Sequence, residues 1–146
     1  MMKYLLPLML AVIMSLSLPA IAAPEAISGT VMLSPELADK VELTDTVFIL
    51  VRAAQGPRMP IAVYRKQVKD LPLKFVLDDS MSMQPQVKIS NFSKVKVAAR
   101  ISRSGSAVTR PGDYEGVSPA IKPGTSGVEI MIDTLIVSDS KTSQSI

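Results

Sequence analysis

The chain contains no cysteine, no histidine and no tryptophan, and only 4% of its residues are aromatic. Each absence excludes a class of chemistry. Without cysteine there is no disulfide framework, no thiol nucleophile and no attachment point for a lipid anchor behind a leader. Without histidine there is no Ser–His–Asp relay and no imidazole ligand for zinc or haem iron. Paired carboxylates are scarce as well. Asp78 and Asp79 are adjacent, and neighbours on a strand point to opposite faces, so they suit a hydrogen-bonded turn better than acid–base catalysis. The ligand spacing of a calcium-binding EF-hand is missing around them. Ser104-Gly105-Ser106 lacks the flanking pattern of a nucleophile elbow and reads as a hairpin turn. These residues describe a protein that acts by binding, not an enzyme, and they call for no cofactor.

The exception to the general shortness of apolar runs lies at the start of the chain. Lys3 supplies a positive charge, Leu5 to Leu18 is almost wholly apolar, and Ala20-Ile21-Ala22 forms a small-residue cleavage site. The run is interrupted by Pro7 and followed by Pro19, and it falls short of the roughly 20 residues of a membrane span. Residues 1–22 are therefore expected to be a secretory signal, removed on export to the periplasm. The mature chain, residues 23–146, has no further segment apolar enough to span a bilayer. The formal net charge of +3 falls by one with the loss of Lys3. So weak a charge, in an exported protein, does not point to nucleic acid.

The mature chain reads as short strands punctuated by turns. Ile27 to Leu33 alternates, and Ser34-Pro35-Glu36-Leu37-Ala38 suits one helical turn, with Ser34 as its cap and Pro35 in its first position. Thr46 to Ala54 is rich in β-branched and aromatic residues, and Ile61 to Val68 forms a further strand. Leu73, Phe75 and Leu77 alternate in another, Asp78 to Gln86 is a loop, and Val87 to Ser90 is a short segment. Lys94 to Ser102 has the clearest period of two. Val95, Val97, Ala99 and Ile101 form a dry face, opposite a basic face of Lys94, Lys96, Ala98, Arg100 and Ser102. Pro111-Gly112-Asp113 and Pro123-Gly124 are turns, and Val128 to Val137 is the last strand. Seven or eight short strands with almost no helical periodicity predict an all-β domain over residues 23–137. An immunoglobulin-like antiparallel β-sandwich fits best, with a small β-barrel as the alternative. Residues 138–146 form a polar tail, and there is no internal repeat.

Acids and bases are segregated along the chain. Five basic residues and no acid lie between Thr46 and Lys69, and six basic residues and no acid between Gln86 and Arg110. Two readings follow. A basic sheet face steers an acidic partner, or the cations pair across strands with the acidic segments on a solvated face. Met81 and Met83 flank Ser82. Such thioethers suit Cu(I), with Met59 as a third ligand if the loops converge, and a Met-based periplasmic copper carrier is one alternative function, a structural β module with another exported partner the other. The same methionines equally suit an adaptable packing surface.

Several segments, taken together and in order, resemble one known family. They are Ile27-Ser28-Gly29-Thr30-Val31, Thr46-Val47-Phe48-Ile49, Gly56-Pro57-Arg58-Met59-Pro60-Ile61-Ala62-Val63, Asp70-Leu71-Pro72, Leu77-Asp78-Asp79-Ser80-Met81, Ala99-Arg100-Ile101-Ser102-Arg103-Ser104-Gly105 and Pro111-Gly112-Asp113. The chain resembles the C-terminal periplasmic domain of the cytochrome c-type biogenesis protein CycH (CcmI) family from about Ala26 to Ile132. The resemblance implies an immunoglobulin-like domain that holds apocytochrome c, or a subunit of the haem lyase, during haem ligation. The chain is expected to be that domain on its own, without the tetratricopeptide repeats and membrane segment that usually precede it. Arg58, Met59, Asp79, Met81, Arg100 and Arg103 are the candidate contact residues, with at least two of their loops at one end of the sandwich. The leader makes a direct prediction. The intact mass of exported protein should correspond to a chain beginning at Ala23, and a mass that retains Lys3 would refute cleavage.

Overall fold

Branched side chains at every second position decide which face of each strand is dry. The computed structural model describes residues 24–56 and 59–137. Eight strands follow in order: β1 (Ile27–Leu33), β2 (Thr46–Ala53), β3 (Pro60–Gln67), β4 (Leu73–Leu77), β5 (Val95–Ser102), β6 (Tyr114–Val117), β7 (Val128–Ile132) and β8 (Thr134–Leu135). They form a three-stranded sheet ordered β4-β1-β7 and a five-stranded sheet ordered β3-β2-β5-β6-β8. Val31, Phe75, Leu77 and Ile130 from the first sheet meet Val47, Ile49, Val97 and Ile101 from the second in one core cluster. Burying each such side chain stabilises the fold by roughly 1.5–3 kcal/mol relative to exposure. The fold is the expected β-sandwich.

Most pairings are antiparallel, but β1 and β7 run parallel, with Gly29 opposite Val128 and Leu33 opposite Ile132. The antiparallel expectation fails for this one pair. Alternation in a strand is the same whichever way its neighbour runs, and parallel neighbours need only a long connection between them. The expected last strand, Val128 to Val137, is also divided. β7 pairs with β1 in one sheet, and β8 pairs with β6 in the other. The chain changes sheet at Asp133, whose N–H donates to the Glu115 carbonyl at 3.4 Å. At this side β6 passes so close to β7 that a Cβ on Gly116 would lie 2.1 Å from the Met131 carbonyl oxygen.

The connections carry the remaining differences. Pro35–Leu37 is a single 3-10 turn, as expected, and buries Leu37. Ser34 precedes it without a capping side-chain hydrogen bond. Val87 to Ser90 is not a strand. Gln84 and Val87 form an isolated bridge, and Ile89–Asn91 is a 3-10 turn that buries Ile89 completely. This segment crosses from one sheet to the other, and a crossing chain presents a plug, not a ladder.

The outer face of β5 departs most from its sequence pattern. The core face is as expected, but Ala98, Arg100 and Ser102 on the opposite face are buried too. Arg100 is 3% exposed. Its Nη1 donates to Asp113 Oδ2 at 2.8 Å, and its guanidinium donates to the carbonyls of Ser106 and Ala107. The Phe48 ring lies under the guanidinium, 5.3 Å away. Asp113 Oδ2 also accepts from the Arg110 N–H at 3.0 Å. The 103–112 connection is thus held against the sheet by its own preceding strand.

Two outcomes test this account of the packing. Gly116→Ala should destabilise by about 2–3 kcal/mol or more, because backbone must shift to admit the methyl group. Arg100→Ala should cost roughly 3–5 kcal/mol by leaving Asp113 buried without its cation, and Arg100→Met combined with Asp113→Leu should cost less than either single replacement. Urea unfolding monitored by circular dichroism measures both. A double variant worse than the singles would show that the pair is not acting as an ion pair.

Candidate functional site

One end of the sandwich gathers the β2–β3 connection, the 78–94 segment and the chain entering β1. Local hydrogen bonds hold it. Asp78 Oδ1 accepts from the Ser80 N–H at 2.9 Å and from the Ser80 hydroxyl. Asp79 accepts from the Ser90 N–H at 3.2 Å and its hydroxyl at 2.7 Å. The Asp79 N–H donates to Glu25 Oε1 at 3.4 Å. The Met83 N–H donates to the Ile61 carbonyl at 2.9 Å, and Ser82 bridges Ala62, which ties the 78–94 segment to the edge of β3.

This packing leaves an apolar cleft of about 250 Å³ lined by Ala53, Met59, Pro60, Ile61, Gln84, Val87 and Phe92. The far side of Phe92 walls a second, polar groove of about 700 Å³ with Ala54, Gln55, Ser93, Lys94, Lys96 and Ala120. Arg52 stands directly opposite Lys96 across the β2–β5 ladder. Like charges in that position destabilise a sheet. Among the described residues, the ion pair is Arg100 with Asp113, and neither Arg52, Lys94 nor Lys96 has a carboxylate partner. The site is therefore an apolar slot bordered by uncompensated positive charge.

The sequence candidates divide between the two ends. Met59 is 65% exposed and lies on the cleft, where the Gln84 amide approaches its sulfur at 4.0 Å. Asp79 lies nearby but spends its oxygens on Ser90. Arg58 falls outside the described residues. Arg100 and Arg103 sit at the opposite end of β5, about 20 Å along the strand. Arg100 was expected on a contact surface and is instead buried in the fold, because Asp113 and the 103–112 connection cover it. Arg103 is exposed. Met81 packs partly buried against the core, whereas Met83 is 61% exposed, so the two thioethers occupy different environments.

Phe92, Val87 and Gln84 were missed, and Arg52 was counted only as one of the five basic residues from Thr46 to Lys69. Lys94 and Lys96 were visible as part of a basic face, but only the fold sets them beside an aromatic wall. The free side of β3 is a weaker candidate. Ile61 and Gln67 spend outward backbone groups on Met83 and on the Asp70 carboxylate, which leaves only a short stretch at Val63 and Arg65. Arg65 and Lys66 charge that stretch, a common defence of sheet edges. The Lys66 ammonium lies over the Tyr64 ring, 5.2 Å from its centre, and its pKa is raised above the ordinary lysine range, chiefly by its interaction with the Tyr64 side chain and further by Asp70. The edge therefore stays cationic throughout the neutral range.

The chain matches the family model of the cytochrome c-type biogenesis protein H Ig-like domain over residues 27–133. It belongs to this family. A relative, the cytochrome c-type biogenesis protein CycH of Pseudomonas aeruginosa (strain PAO1), is 37% identical over 117 residues. That match covers 77% of this chain and 28% of the relative, so the chain spans little more than a quarter of the length of the protein it matches. No solved structure matches it. The match encloses every strand but the last, which begins at Thr134. The immunoglobulin-like sandwich is thus the family's own domain.

The facing cations give a stability prediction. Lys96→Glu should convert a repulsive cross-strand pair with Arg52 into an attractive one and stabilise the domain by about 0.5–1 kcal/mol. The urea midpoint should rise with an unchanged slope, and the gain should shrink in about 0.5 M salt. An unchanged or lower midpoint at low salt would refute the repulsion.

Proposed function

We propose that this domain is a non-catalytic, periplasmic binding module of c-type cytochrome biogenesis. It holds a protein partner, apocytochrome c or a subunit of the haem-ligation complex, while ligation proceeds elsewhere. Family membership carries the reading, because the matched domain and the P. aeruginosa relative are both described as cytochrome c-type biogenesis proteins. The chemistry of the chain supports it. A sequence without histidine or cysteine lacks the commonest axial haem ligand and has no thiol to attack the haem vinyl groups. What it offers is an apolar slot with a charged border, which suits recognition of a polypeptide. Among the described residues no helix is long and apolar enough to cross a membrane. Export through the leader would place the domain where c-type cytochromes are assembled.

Pull-down from a periplasmic extract tests the role. The exported chain, immobilised, should enrich apocytochrome c or haem-ligation subunits above a charge-matched control protein, identified by mass. Deletion of its coding sequence should lower covalently haem-stained cytochrome c. Absence of these partners from the eluate, together with unchanged cytochrome c on deletion, would overturn the role.

A further inference from the structure

We propose that the apolar cleft and the neighbouring basic groove form one docking site for an extended acidic peptide that carries an apolar anchor side chain. The inference rests on the binding role above for its choice of a polypeptide ligand. Its chemistry comes from the site itself.

Arg52, Lys94 and Lys96 lie on one face of adjacent strands, because each alternates with a buried core residue: Val51, Val95 and Val97. Arg52 and Lys96 are directly opposite. An unliganded sheet gains nothing from that placement, whereas a carboxylate between the two cations converts repulsion into attraction. The nearby acids do not supply it. Asp78 and Asp79 accept hydrogen bonds from Ser80 and Ser90, and Glu25 accepts from the Asp79 N–H. Among the described residues, Arg52, Lys94 and Lys96 therefore have no carboxylate within ion-pair distance.

Shape restricts the ligand further. The cleft of about 250 Å³ accommodates one large aliphatic or aromatic side chain, and the adaptable Met59 stands at its mouth. Phe92 lines both the cleft and the basic groove, so an anchor and its flanking carboxylates must be near neighbours in the ligand. An extended chain satisfies this, since adjacent residues are about 3.3 Å apart and point to opposite sides. A ligand with charge alone would leave the cleft empty, and a purely apolar ligand would leave the cations unpaired. The basic face thus steers an acidic partner at the Lys94–Lys96 end, while at the other end of the same strand Arg100 pairs within the fold.

The test uses the exported full chain, labelled for NMR, and the synthetic peptide DEFLDE. Saturable binding should shift the backbone signals of Ala53, Phe92, Lys94 and Lys96, and should weaken about fivefold or more between low salt and about 0.5 M salt. The peptides KKFLKK and DESSDE should each bind about tenfold more weakly, as should DEFLDE to Lys96→Glu, a substitution that favours folding. Equal binding of the charge-inverted peptide, shifts confined to the β3 edge, or an unaffected Lys96→Glu variant would each overturn the site. So would sedimentation with phosphatidylglycerol vesicles in the absence of peptide binding, which would assign the cations to a membrane surface. A Lys94→Glu, Lys96→Glu variant in the pull-down separates the two claims. If it still captures cytochrome maturation proteins, the site falls and the role stands. If the unmodified chain binds DEFLDE but captures none of those proteins, the site stands and the role falls.

Discussion

The buried ion pair of Arg100 with Asp113 determines what the five-stranded sheet becomes. Desolvating a guanidinium and a carboxylate costs several kcal/mol per ion, and only full hydrogen bonding with close geometry offsets that. Here the offset is assembled from one connection and the neighbouring strand β2. Asp113, the Ser106 and Ala107 carbonyls and the Phe48 ring all converge on the Arg100 side chain. Meeting those requirements folds the 103–112 connection across the sheet and places Tyr114 at the start of β6, opposite Ile101. From β6 the chain reaches β7, and the Gly116–Met131 approach then brings the two sheets together at that side. Without a cation at Arg100 the connection has no reason to cover this face.

The same strand has a different fate at its other end. Lys94 and Lys96 occupy positions of the same parity as Arg100, yet they border an open groove. Solvent decides the difference. A cation in water gains little from a partner and is screened within about 8–10 Å, whereas a cation that a neighbouring segment covers must be paired. The basic face is accordingly divided into a structural half and an accessible half. The segregation of acids and bases along the chain serves both. It brings Asp113 against Arg100 at the covered end, with Glu115 opposite Arg100 in the ladder, and among the described residues it leaves Lys94 and Lys96 without a carboxylate partner at the open end.

Much of the architecture was legible in the residues. β1, β4 and β5 fall within about one residue of their alternating patterns, because period two over five or more positions is a strong signal, and β2 and β3 fall within about one residue of the runs between turn signals that read as strands. Four-residue β6 was missed between Gly112 and Pro119, since so short a segment carries no period of its own and owes its pairing to β5. The division of the last strand at Asp133 was illegible for a related reason. Val128 to Val137 alternates well enough throughout, and only the positions of β1 and β6 determine where it must change sheet. Of the candidate site, the structure brings the Met59 and Asp79 loops to one end of the sandwich. Arg100 misled because an arginine on the outer face of a strand looks the same whether solvent or a later loop covers it.

The sequence by itself determined the class of protein: all-β, built on alternating branched residues, without thiol or imidazole chemistry, and similar in its ordered motifs to one family of immunoglobulin-like domains. These are local or compositional properties, and no folding step alters them. Tertiary structure alone decided which cations are buried and which are free, that the first and seventh strands run parallel, and that Phe92 separates an apolar cleft from a basic groove. Those properties join residues tens of positions apart. They depend on which segment covers which face, and desolvation sets the value of each charge only once that cover is in place.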